Sequence, residues 1–149
     1  MDKPTNLVEF ETMLLSRYTL HPRYRRDGAH LDRSAYLLLS RLAIDGPMSI
    51  GQLSEAFGLD TSTLNRQTAA LLRSGYVERI PDPDGGMARK FRITAAGSES
   101  LDAERTANIE GLGRVMTDWS SDDIARFAAY LQRFNTDIER LDGRPWPRP

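Results

Sequence analysis

The sequence predicts a mainly α-helical chain with one small β-hairpin, and three observations carry that expectation. Apolar residues recur at steps of three and four from Leu7 to Leu42 and again from Leu101 to Leu141, the spacing that lines one face of a helix. Gly46-Pro47, Gly58 and Gly75 follow the middle periodic runs as stop signals. Only the stretch around Pro81-Asp82-Pro83-Asp84-Gly85-Gly86 breaks the pattern, with a short β-type run on each side of a turn-rich segment.

At 149 residues the chain is expected to form one compact unit, and its 40% hydrophobic and 28% charged content is that of an ordinary globular protein. With no cysteine it has no disulfide, no thiolate zinc site and no thiol nucleophile. No window nears the roughly 18 apolar residues of a membrane span, and charges occupy the region where a signal peptide is apolar, so a cytoplasmic location without membrane contact is expected. The net charge is −1, but residues 61–93 hold six cations (Arg66, Arg73, Arg79, Arg89, Lys90, Arg92) against Glu78, Asp82 and Asp84. That basic block in a slightly acidic chain suggests one face for an anion and another for a different partner.

In chain order, Leu7, Phe10, Leu14, Tyr18 and His21 form a first stripe, with Asn6 and Glu9 as its expected cap. Leu31, Ala35, Leu38, Leu39 and Leu42 form a second. Ser49 and Gln52 read as a capping box for a short helix bearing Leu53, Ala56 and Phe57. After Gly58, three or four residues lead into another helix that closes at Gly75, which is helix-turn-helix spacing. Val77–Ile80 and residues 89–93 are the strands of a hairpin, or wing. Thr94 caps a long helix with Leu101, Ile109, Leu112, Val115 and Met116. The last helix carries Ile124, Phe127, Leu131, Phe134, Ile138 and Leu141 in the manner of an a/d seam. The tail from Gly143 to Pro149 is expected to be loosely ordered, with Trp146 covering exposed core.

The seam wants a partner. The expected one is a second copy of the chain, paired through Leu7, Phe10 and Leu14 of the first helix and Ile124, Phe127, Leu131, Phe134, Ile138 and Leu141 of the last. An intramolecular bundle is the alternative. The architecture that follows is a winged helix-turn-helix at 31–97, with dimerisation segments at 1–30 and 98–142 and a tail at 143–149.

In the helix that starts at Thr61, Leu64, Thr68, Leu71 and Leu72 face inward, leaving Ser62, Asn65, Arg66, Ala69 and Arg73 on the outer stripe. Thr61, Ser62 and Thr63 bring small donors and acceptors to the positive end of the helix dipole, where phosphate oxygens and thymine methyls fit. Arg66 suits guanine, and Asn65 and Gln67 suit adenine. Ser49, Arg73, Arg89, Lys90 and Arg92 complete the candidate contacts to double-stranded DNA. Capping by Asp60, Thr61 and Ser62 is the plainer reading and is compatible with DNA contact. No nucleophile motif or phosphate loop points to an enzyme, and no cofactor or metal is expected. His21 and His30 with Asp27 or Asp32 make a weak metal set, and Tyr18, His21 and Tyr36 form no convergent ligand cluster. The rival to DNA reading is a protein-binding winged helix that uses the face from Ser62 to Arg73; salt dependence separates the two.

Over nearly its whole length the chain resembles the MarR (multiple antibiotic resistance regulator) winged-helix transcription factors. The likeness is most specific at Leu59-Asp60-Thr61-Ser62-Thr63-Leu64-Asn65-Arg66, at Leu72-Arg73-Ser74-Gly75-Tyr76-Val77-Glu78-Arg79, at Asp82-Pro83 in the wing and at Ile93-Thr94-Ala95-Ala96-Gly97. The resemblance implies a homodimer on a pseudo-palindromic operator, usually repressing transcription and often released by a small, commonly aromatic or anionic, effector. One departure stands out. Family wings usually carry an Asp and an Arg near the tip, where this chain has Gly85, Gly86 and Met87, with Arg89 two positions further on.

Overall fold

The computed structural model describes residues 2–18 and 31–149. Its elements are α1 (Thr5–Leu15), α2 (Arg33–Asp45), α3 (Ile50–Phe57), α4 (Thr61–Arg73), β1 (Val77–Ile80), β2 (Lys90–Ile93), α5 (Ala95–Val115) and α6 (Ser121–Asp142). The expected mainly helical chain with one small hairpin is the observed architecture. None of the helices is long and apolar enough to cross a membrane, among the described residues.

Local chemistry sets most boundaries. Asp32 caps α2 by accepting from the Ala35 amide at 2.8 Å, and Gly46 ends it at φ +78°. Ser49 and Gln52 form the reciprocal box at α3: the Gln52 amide donates to the Ser49 hydroxyl at 3.2 Å, and the Ser49 amide donates to the Gln52 side chain at 2.9 Å. Gly58, left-handed at φ +64°, turns the chain out of α3. Thr94 caps α5 through the Gly97 amide, and Ser120 caps α6 through the Asp123 amide.

Two expected caps differ. The first helix starts at Thr5 behind Pro4, with no side-chain cap, so Asn6 lies within the helix and does not cap it with Glu9. The helix ends at Leu15, which leaves Tyr18 beyond it and exposed; His21, Asp27 and His30 lie outside the described residues. Asp60 occupies the N-cap position of α4 but makes no side-chain cap bond.

The core is the inner face of the middle segment. Leu38, Leu39 and Leu42 of α2 pack with Leu53 of α3, Leu64 and Leu71 of α4, Val77 and Phe91 of the hairpin and Leu101 of α5. The strands pair antiparallel, with Glu78 opposite Arg92 and Ile80 opposite Lys90, so β2 begins at Lys90, one residue later than its expected start. Met48 adds a short third edge, exchanging backbone hydrogen bonds with Phe91 at 3.1 and 2.8 Å. This edge ties the start of α3 to the wing. Buried Glu104 of α5 accepts from the Leu31 amide at 3.4 Å and so fastens α5 to the approach to α2.

The terminal helices contrast with that core. Neither α1 nor α6 contains a buried residue. Phe10, Phe127, Leu131, Phe134 and Ile138 are all exposed, as are Ile109, Leu112 and Val115 on the far half of α5. An intramolecular bundle is therefore not what the described chain forms, and these apolar side chains stay uncovered in the single copy. The tail is more ordered in its contacts than expected. Trp146 packs edge-on to Phe57 with ring centroids 5.6 Å apart, and Arg148 pairs with Glu139 at 2.6 Å.

Candidate nucleic-acid interface

The recognition ridge follows from the period of α4. Leu64, Thr68 and Leu71 are buried, and Thr68 satisfies its own hydroxyl on the Leu64 carbonyl at 2.7 Å. Thr61, Ser62, Asn65, Arg66 and Arg73 are fully on the outside, with Ala69 half-buried between them. Thr63 and Gln67 sit on the flank. They line a groove of about 290 Å³ with Asp32, Ser34 and Arg66, between α4 and the start of α2. Among the described residues Arg66 reaches only the Thr63 hydroxyl, at 3.4 Å, which leaves its guanidinium available to a base edge. With Asp60 making no cap bond, the outward N-terminus of α4 can take an external acceptor.

The other predicted contacts divide. Ser49 is half-buried, and its oxygen is used in the α3 box. Arg89 is exposed on the wing, and neither it nor Arg73 has an ion-pair partner among the described residues. Lys90 and Arg92 do have partners. Lys90 Nζ stands 3.4 Å from Asp82, with both side chains largely covered, and Arg92 is paired with Glu78 across the hairpin. Arg79 lies over the Phe91 ring, 5.6 Å from its centroid. Two of the six cations are thus paired in space, and those left for phosphates are chiefly Arg66, Arg73 and Arg89.

Asp82 organises the wing. It accepts from the Asp84 amide at 2.9 Å, and that bond, ahead of the Lys90 charge, holds its carboxyl below the usual aspartate value. Its second oxygen lies where a Cβ on Gly86 would be 2.2 Å away, so a larger residue there would have to displace the Asp82 carboxylate. Sequence reasoning missed this role for Asp82, although an Asp at the start of a Gly-containing turn is the signal for it. The tip beyond the turn presents Met87, fully exposed, in place of a cation.

Among the described residues no cluster of three or more His or acidic side chains could hold a metal. Tyr36 is half-buried against the core, whereas Tyr18 is exposed.

A helix-turn-helix with an outward polar ridge, followed by a basic hairpin, defines a winged-helix DNA-binding regulator. The MarR family model matches residues 31–85. The uncharacterised HTH-type transcriptional regulator YxaD of Bacillus subtilis is 35% identical over 133 residues, covering 89% of this chain and 93% of its own. The HTH-type transcriptional regulator MT0903.1 of Mycobacterium tuberculosis is 29% identical, over 88% and 93% of the two chains. In fold, the chain matches a crystal structure of MarR with a TM-score of 0.77 at 19% identity, over 97% of this chain and 99% of that one. Apo MarR from E. coli matches with a TM-score of 0.67 at 16% identity, over 90% and 98%. The chain belongs to the MarR family of transcriptional regulators.

Proposed function

We propose that the chain acts as a homodimer that sets two α4 ridges into successive major grooves of a pseudo-palindromic operator, about 34–36 Å apart, and represses transcription there. The observation that carries this reading is the ridge itself: Ser62, Asn65, Arg66 and Arg73 point outward while Leu64, Thr68 and Leu71 anchor the helix behind them. The uncovered faces of α1 and α6 support pairing through segments 1–30 and 98–142, leaving 31–97 as the reading unit. Thr61, Ser62 and Thr63 take phosphate and thymine contacts, Asn65, Arg66 and Gln67 read bases, and Arg73 and Arg89 hold the backbone. Ser49 adds a peripheral contact, while Lys90 and Arg92 act first through the wing's own ion pairs. A small aromatic or anionic effector would release the operator by favouring dimers with the wrong helix spacing, and by no more than its differential affinity.

Selection of bound fragments from random duplexes tests this. An inverted repeat is expected, with log affinity falling against log salt at a slope near −4 to −5 for about five phosphates. Arg66→Ala is expected to cost about 1–3 kcal/mol and to relax preference at one position of each half-site. Recovery of no repeat, with weak salt dependence, would assign the same face to a protein partner.

A further inference from the structure

The tail joins three helices that the sequence order keeps apart. Gly143, left-handed at φ +73°, folds the chain back at the end of α6. Arg144 then donates from Nε to the Glu55 carbonyl of α3 at 3.1 Å, and its guanidinium carbon lies so close over Gly58 that a Cβ there would stand 2.8 Å from it. Trp146 meets Phe57 edge-on, and the Arg41 guanidinium of α2 lies 5.0 Å from the indole ring, itself steadied by Asp45 at 2.6 Å. Glu139 on α6 closes the loop. It accepts from the Trp146 amide at 2.6 Å and from both terminal nitrogens of Arg148, at 2.9 and 2.6 Å.

This arrangement has a mechanical consequence. One end of the α5–α6 arm is fixed where Leu101 packs into the core of the reading unit and Glu104 accepts from the Leu31 amide. The far end, α6, has no buried residue of its own, so its own side chains contribute little to fixing the arm against the reading unit. The tail supplies the second point, on α3, the helix that carries α4 through a three-residue turn. We propose that the tail is a strap fixing the angle between α6 and the helix-turn-helix, and that Trp146 is the positioning residue through which the dimer discriminates half-site spacing. The inference rests on the dimeric reading above.

The test compares the full-length chain with Trp146→Ala, Trp146→Phe and a chain ending at Asp142, on synthetic duplexes carrying the selected repeat with its half-sites moved apart or together by one and two base pairs. The unaltered chain is expected to lose at least tenfold in affinity on a one- or two-pair shift. Trp146→Ala and the shortened chain should bind the original spacing about tenfold more weakly and all spacings within about threefold of one another. Their dimer mass and affinity for a single half-site should be unchanged, and Trp146→Phe should restore much of the discrimination. A loss of folding would lower every affinity alike and would not flatten the profile. Retention of the full spacing profile by both Trp146→Ala and the shortened chain overturns the strap alone. An unaltered chain that selects no repeat overturns the dimeric reading, and the strap's role in spacing with it.

Discussion

Glu78 and Arg92 stand opposite each other across the hairpin, and Arg92 Nε donates to the Glu78 carboxylate at 2.8 Å. An exposed pair of this kind contributes little to stability, so its main effect is on the charge the wing shows to DNA. Glu78→Ala is therefore expected to leave the fold intact and to tighten binding to random and selected duplexes alike. The slope of log affinity against log salt should steepen by roughly 1.8, the share of one added phosphate contact in each of the two subunits. Anisotropy titrations on a random duplex at several salt concentrations check this; an unaltered slope would mean that Arg92 does not reach the backbone even when released.

Pairings of that kind were not legible in the sequence. The ridge of α4 was, because a period of 3.6 assigns each residue to a face from local spacing alone, and Leu64, Thr68 and Leu71 fall where that period puts them. The caps at Ser49 and Thr94 were legible for the same reason, since donor and acceptor are three residues apart. Lys90 and Arg92, by contrast, read as phosphate ligands until the strand register places Asp82 and Glu78 beside them. The Met48 edge, the Glu104 contact and the seat of Trp146 depend on partners distant in sequence, which no local pattern encodes.

Gly97 was visible only as part of a family likeness, and the structure supplies its reason. A Cβ at that position would lie 2.2 Å from the Tyr76 carbonyl oxygen, which also accepts from the Thr94 amide at 3.0 Å. The obstruction is backbone and cannot swing aside. Gly97→Ala is expected to destabilise the chain by about 1–3 kcal/mol, a fall in Tm of roughly 2–12 °C. Thermal unfolding followed by circular dichroism measures it, and an unchanged Tm would show that α5 can slide away from β1 at no cost.

Leu131 lies at the middle of the uncovered α6 seam, 41% exposed, with Phe127 and Phe134 on either side. A carboxylate there meets solvent in a single copy but would be buried against a partner helix. Leu131→Asp is thus expected to fold normally, to sediment as a monomer and to lose operator affinity by roughly a hundredfold or more as the half-sites bind independently. A variant that sediments as an undiminished dimer would move the interface to another face.

The tail carries a pH dependence whose direction follows from one carboxylate. Hydrogen bonds from Arg148, then from the Trp146 amide, hold the Glu139 carboxyl down to about 2 from its ordinary 4.5. A folded value below the unfolded one means the attachment is fully present above about 4.5 and is lost as the pH falls from there towards 2. The groups around it are Arg148 and Trp146 on the tail, Arg144 held by Asp142 and by the α3 carbonyl of Glu55, and Arg41 with Asp45 on α2. The same contact raises the Arg148 guanidinium above its usual value, so it is protonation of Glu139 that removes the acceptor on which the tail closes. In a Trp119→Phe chain, the emission of Trp146 is expected to shift to the red over this interval, before the helical circular dichroism changes. Glu139→Gln should show the shifted emission already at neutral pH and no acid transition of its own. Emission that moves only in step with loss of helix would assign the event to global unfolding and take Glu139 out of it.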